Sequence, residues 1–307
     1  MILKNIMNPN TTQTDLSLIR SWRQKSDWQG ATQTRRRRFR RMISLSHHIT
    51  FMLGKRFPQS VPLIFVLGYP KSGTSWVCQL IADYMQLPFP QHSILPIGCA
   101  AVVHGHETVT AKYPIGVYVM RDGRDVMVSA FNHLRNHAKA GGKSRWNTDF
   151  FRFAQLDGPV DNYAALPRFI EYSATHPFGA HRNWADHVKS FYAAKNHHFG
   201  LVRYEDLVAD TVAALSTTIS QLSVDEVDAE QIVKTANRFS FERLAGRASG
   251  KEDQMSYLRK GTAGDWQNCF NQESAEVFQK YFGDALVQAG YESTTEWINA
   301  CKHEGQV

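Results

Sequence analysis

Residues 63–76 read Leu-Ile-Phe-Val-Leu-Gly-Tyr-Pro-Lys-Ser-Gly-Thr-Ser-Trp, and no other stretch constrains the fold as tightly. An apolar run from Leu63 to Leu67 is cut by Gly68 and Pro70, a loop of small residues follows, and an amphipathic segment starts at Ser75. Strand, tight turn and helix N-terminus in that order surround one point with backbone N–H groups and the positive end of a helix dipole. A phosphate, or a chemical relative of one, suits that point. From Val61 onward strand and helix patterns alternate, so the expected class is α/β: a P-loop-type, mostly parallel sheet with helices on both faces.

Further elements follow from periodicity. The helix after the loop carries Trp76, Val77, Leu80, Ile81, Tyr84 and Met85 on one face and is stopped by Pro88 and Pro90. A second strand is expected at Gly116–Met120, with a helix from about Gly123 to Leu134. A short strand is expected at Phe199–Val202, then a helix bearing Val212, Leu215, Ile219 and Leu222. A last helix from near Asn271 should bury Val277, Phe278, Tyr281, Phe282 and Leu286. Residues 136–181 are interrupted by glycines and prolines and rich in aromatics, which suits a lid or a wall of an acceptor pocket.

Of the 307 residues, 43% are hydrophobic and 21% charged, an ordinary globular balance with room for one large domain. The four cysteines, Cys78, Cys99, Cys269 and Cys301, lack metal-ligand or redox spacing and read as reduced thiols of a cytoplasmic protein. Residues 1–20 do not read as a signal peptide, and no run approaches membrane-spanning length. Charge is uneven: residues 1–60 hold 12 Lys or Arg against 2 Asp or Glu, and the remainder 23 against 26. The excess centres on Arg35–Arg41, so residues 1–41 read as a basic arm, with Trp22 and Trp28 as docking points, ahead of a domain at 42–307. A solvated basic face is one reading of the run, and contact with an anionic surface or polyanion the other. No nucleic-acid-binding motif accompanies it, and a homodimer is left open.

The loop differs from a nucleotide-triphosphate loop in one respect. Gly68 and Gly73 keep the expected spacing, but Thr74 stands where that motif has lysine, and the lysine is Lys71, inside the loop. A kinase or other triphosphate enzyme without that lysine is handicapped. The string Tyr69-Pro70-Lys71-Ser72-Gly73-Thr74-Ser75-Trp76 instead resembles the 5′-phosphosulfate loop of sulfotransferases that use 3′-phosphoadenosine-5′-phosphosulfate (PAPS). Two further segments match the same family in the same order. Arg121 and, eight residues on, Ser129 resemble its 3′-phosphate site, and Arg259-Lys260-Gly261-Thr262-Ala263-Gly264-Asp265-Trp266 is similar to the segment that closes over the nucleotide. Tyr204 and the set Ser240, Phe241 and Leu244 match, more weakly, the adenine environment, where Trp76 would stack. The matches span about 200 residues, and the chain is identified as a member of the PAPS-dependent sulfotransferase family, of the cytosolic type.

The resemblance implies a sulfuryl transfer to a hydroxyl or amine, with no metal. Lys71 would stabilise the leaving group, Ser72 would restrain Lys71, and the amides of Gly73, Thr74 and Ser75 would hold the 5′-phosphate. Arg121, Ser129, Arg259, Lys260 and Gly261 would hold the 3′-phosphate. Aligned on the family's base-bearing segment, His106 takes the base position and His104 the place of a lysine, a departure from the family pattern. His106 ranks first as base, His104 second and Glu107 third. An extended run would put both histidines on one side. His-x-His is also a chelating spacing, without an evident third ligand. Phe131, Trp146, Phe150, Phe151, Phe153 and Tyr163 favour a small acceptor with apolar surface; the arginine run suits an anionic saccharide or lipid. A P-loop kinase and a non-catalytic nucleotide-binding module are the rival readings.

Overall fold

The computed structural model describes residues 33–90, 100–142, 144–159, 162–222, 226–253 and 259–303. Four parallel strands, β1 (Leu63–Gly68), β2 (Ala101–Gly105), β3 (Gly116–Met120) and β4 (Phe199–Arg203), form one sheet in the order β2-β1-β3-β4. Every residue of β1 is buried. Its alternation explains why: Leu63, Phe65 and Leu67 enter the core on one face, Ile64 and Val66 the core on the other.

Onto the first face pack α1 (Gln33–Arg56), α3 (Gly123–Lys139), α4 (Arg145–Phe153), α5 (Leu166–Thr175), α6 (Trp184–Ala194) and α11 (Gln272–Gln288). Onto the second pack α2 (Thr74–Tyr84), α8 (Thr211–Gln221) and α9 (Ala229–Arg238). Two short helices, α7 (Tyr204–Ala209) and α10 (Phe241–Ala245), and 3-10 turns at Asp265–Asn268 and Glu296–His303 complete the described elements. Neighbours of β1 lie on opposite sides, β2 on one and β3 on the other, so the chain reverses direction across the sheet at its C-terminal end. That crevice is where open α/β sheets bind ligands.

Three expectations are corrected. The strand at Gly116–Met120 is third in chain order, because Ala101–Gly105 pairs with β1 over five positions, Leu63 to Leu67. The first strand pattern in that interval is only Ala-Val-Val-His-Gly, too short and too mixed to stand out. The helix after β3 runs on to Lys139, with His137 and Lys139 in its last turn favouring the helix dipole. In α11, Phe278, Phe282 and Leu286 are buried but Val277 and Tyr281 only partly so. The arginine run lies on α1, which continues through position 41 to Arg56; Trp22, Trp28 and Cys99 lie outside the described residues.

Candidate active site

The loop between β1 and α2 turns on two left-handed residues, Lys71 (φ 74°) and Gly73 (φ 88°). Gly73 is required twice over, since a Cβ there would also stand 2.7 Å from the Tyr204 ring. It begins α2 without a side-chain cap; the Trp76 and Val77 amides bond back to its carbonyl (2.9 and 3.2 Å), which leaves the Thr74 and Ser75 amides at the open helix N-terminus. Thr74 Oγ1 and Arg121 Nε are buried and meet no hydrogen-bond partner among the described residues. Two orphaned donors beside an open helix N-terminus fit an anion.

Arg121, at the end of β3, reaches back to the loop. Its Nη1 donates to the Lys71 carbonyl (3.1 Å) and Nη2 to the Thr262 carbonyl (3.5 Å), while the guanidinium stacks on Tyr204 at 4.1 Å. Asp122 caps α3 through the Arg124 amide (2.8 Å). Asp125 accepts from the amides of Gly264 (2.8 Å) and Trp266 (2.9 Å), so one carboxylate fastens the glycine loop to α3. Gly261 (φ 67°) lies under the Phe241 ring, where a Cβ would approach to 2.3 Å. Arg259 pairs with Glu252 (2.7 Å) and Asp265, and Lys260 with Asp265 (2.5 Å). The aspartate is buried, which would raise its pKa, but these two cations hold its carboxyl down at about 2.

The structure therefore brings most of the sequence-selected residues to one edge of the sheet. Trp76 donates from Nε1 to the Phe239 carbonyl (2.8 Å) and meets Tyr204 edge-on at 6.1 Å. Ser240 caps α10 and Leu244 packs against the second core. Ser129 is half-buried on α3. Ser72 is buried and does not line the cavity described next.

An open cavity of about 250 Å³ lies outside the strand ends, bounded by Lys71, Gly73 to Ser75, His104, His106, His133, Pro70, Phe178 and Gly179. His104 and His106 share a wall with ring centroids 4.5 Å apart. His106 Nδ1 lies 2.6 Å from the Gly68 carbonyl. A carbonyl only accepts, so Nδ1 carries the proton and Nε2 keeps its lone pair. Burial pushes the imidazole's pKa below 6.5 against the opposing pull of that carbonyl and of Glu107. Its backbone is held as well: His187 Nε2 donates to the His106 carbonyl (3.2 Å), leaving His187 Nδ1 to accept from Tyr118 OH (3.0 Å). Glu107 turns away and accepts from His47 Nε2 on α1 (2.6 Å). Burial works to raise its pKa, but the His47 bond and charge hold it below the usual carboxylate value. Lys71 is pulled down to about 8 by burial, then by Arg121 and Arg259.

Sequence reasoning missed His133, which faces this cavity from α3 and is pushed down to about 4 by burial, Lys71 and His137. Its spacing of four from Ser129 was the available signal. His187 had none, since only tertiary packing brings it under His106. The aromatics expected along the acceptor wall are corrected: Phe131 and Phe150 are buried in the core, Trp146, Phe151 and Tyr163 pack against it, and Phe153 is exposed. Helices α4 and α5 turn them inward, with Phe150 and Trp146 against Phe169 at 5.6 and 5.5 Å. Among the described residues of that region only Phe178 and Gly179 line the cavity; the Phe178 amide donates to Tyr69 OH (3.3 Å). Among the described residues no cluster of three His, Cys, Asp or Glu is arranged to hold a metal ion.

A family model described as a sulfotransferase domain matches residues 106–290, more than half of the chain. The chain belongs to the sulfotransferase domain family. Its reaction class is sulfuryl transfer. The match begins at His106, so the 68–76 loop stands outside it, but longer alignments include that loop's region. Sulfotransferase 2A2 of Mus musculus is 23% identical over 80% of this chain and 91% of its own length. Cytosolic sulfotransferase 1 of Danio rerio is 24% identical over 83% and 93%. Among solved structures, the mouse sulfotransferase SULT7A1 complexed with PAP has a TM-score of 0.52 at 22% identity, covering 78% of this chain and 88% of that one. At that identity the likeness concerns the fold.

Proposed function

We propose that this sulfotransferase takes its sulfuryl group from PAPS and passes it to a hydroxyl or amine of a small molecule. His106 acts as general base and Lys71 as stabiliser of the leaving group. The observation that carries the reading is the pairing, in one cavity, of a base with a fixed tautomer and a half-buried lysine at an open helix N-terminus. PAPS supplies an activated sulfuryl group whose departure leaves adenosine 3′,5′-bisphosphate. The residues present fit that nucleotide: orphaned Thr74 Oγ1 and Arg121 Nε, first-turn amides, and no carboxylate among the residues bounding the cavity. PAP bound to solved relatives supports the same choice.

On this reading the amides of Gly73, Thr74 and Ser75 hold the 5′-phosphate. Arg121, Ser129, Arg259, Lys260 and the Gly261 backbone surround the 3′-phosphate, with Trp76, Tyr204, Ser240, Phe241 and Leu244 around the base. His106 Nε2 takes the acceptor proton as the new S–O or S–N bond forms. Lys71 offers its ammonium to the oxygen that gains charge. Ser72, buried within the loop, restrains Lys71, and His104 supports the acceptor beside His106. A cytoplasmic location belongs to the reading, supported by the relative named cytosolic. A saccharide or lipid acceptor is a second reading, favoured by the imidazoles that replace an aromatic wall.

Calorimetry separates PAPS use from triphosphate use. Adenosine 3′,5′-bisphosphate should bind far better than ATP, because charged hydrogen bonds to the 3′-phosphate are worth roughly 1.5–3 kcal/mol each. Equal binding would overturn the assignment. PAPS-dependent release of the bisphosphate, unchanged by a chelator, would exclude a magnesium kinase.

A further inference from the structure

We propose that the outward face of α1 docks on an anionic membrane surface, lying on the bilayer without crossing it. The 24 residues of α1 include eight Lys or Arg and no Asp or Glu. Its inward face is fixed by contacts: Phe51 meets Phe65 at 5.1 Å, a Cβ on Gly54 would touch Leu63, and His47 bonds Glu107. The opposite face exposes Met42 (66%), Leu45 (63%) and Met52 (57%), and Phe57 follows at 49%. At 100° per residue Met42, Leu45 and Met52 fall within one arc with Arg41 and Arg56. Apolar side chains between arginines suit the headgroup boundary, where cations meet anionic lipid and apolar groups enter the acyl layer. A soluble polyanion would use the arginines and leave the apolar strip in water, which is why the membrane is preferred.

The placement also has a direction. Gly54 stands level with the start of β1 and His47 level with Glu107, just past the end of β2, so α1 runs antiparallel to the strands. The residues before His47, roughly 20 Å of helix at the standard rise, therefore continue past the edge where the cavity opens. Docking by this end brings the cavity to the membrane.

The test is sedimentation of the full chain with phosphatidylcholine vesicles, with and without phosphatidylglycerol. Binding to the anionic vesicles alone, weakened by salt, is expected. Arg41→Ala should lower partitioning about fivefold, one cation's share at such a surface. The charge-neutral pair Met42→Ser and Leu45→Ser should lower it about tenfold or more, with melting temperature and transfer activity unchanged. No sedimentation, or equal sedimentation with neutral vesicles, overturns the proposal. So does wild-type binding by the serine pair, which would mark a polyanion site. A dimer in solution that the serine pair dissociates would assign the face to a second copy and overturn it too. None of these outcomes depends on which acceptor is sulfated.

Discussion

His106 spends its Nδ1 proton on the Gly68 carbonyl, so only Nε2 is available to a substrate. Two consequences are measurable. His106→Ala should cut transfer about 10²–10⁴-fold, the usual weight of a general base, without changing affinity for the bisphosphate. His104→Ala should do less, and the reverse order of damage would move the base by two residues. The pH profile of kcat/KM should be a bell. The neutral imidazole is the active form, so activity falls as pH drops through a value below 6.5. The ammonium of Lys71 is its active form, so activity also falls as pH rises through about 8. Lys71→Ala should lose on the order of 100-fold or more in kcat, and Lys71→Arg, always charged, should lose the alkaline limb. An alkaline limb unchanged in Lys71→Arg would belong to another group.

At the scale of elements, the site is a junction of three segments held by backbone bonds more than by side-chain pairs. Gly73 keeps the β1–α2 loop in a left-handed turn against Tyr204, and Asp125 ties the Gly261–Trp266 stretch to α3. Gly73→Ala should cost about 1–2 kcal/mol of stability from backbone strain alone. It should also weaken bisphosphate binding by roughly 10–100-fold, the loss of one charged hydrogen bond. Asp125→Ala should weaken nucleotide binding while leaving His106 and the β1–α2 loop in place. Calorimetry checks both, and unchanged affinity in Asp125→Ala would mean that the glycine loop plays no part in holding nucleotide. The β1–loop–α2 unit was legible because its signals are local: an apolar run, glycines, and a helix period. Strand β2 was not, because five residues ending in His-Gly carry no periodicity of their own and form a strand only by pairing with β1. The aromatics of 136–181 misled for the same reason, since composition marks them as apolar without saying that α4 and α5 would turn them inward.

Across the whole molecule, long-range ties decide what sequence order cannot show. Arg124 bonds the cap residue Asp122 through its amide and its guanidinium, which also lies over Trp266 (3.8 Å) and Trp297 (4.7 Å). It pairs there with Asp122 (2.7 Å) and Glu292 (2.6 Å), its side chain only 3% exposed. One arginine thus joins the start of α3, the turn after the glycine loop and the C-terminal 3-10 turn; its partners lie up to 173 positions away, beyond any local pattern. Removing a single member of such a buried set leaves charge without compensation. Arg124→Ala should therefore destabilise the protein by about 3–5 kcal/mol, read as a fall in the denaturation midpoint. Arg124→Met with Asp122→Asn removes both buried charges while keeping the apolar packing between the two tryptophans, and should recover much of the loss. If the double variant is no better than Arg124→Ala, the arginine acts through its stacking on Trp266 and Trp297 and not through the pair. Because Asp122 caps the helix that starts just after Arg121 and carries Asp125, bisphosphate affinity should weaken in step with stability in Arg124→Ala and return in the double variant.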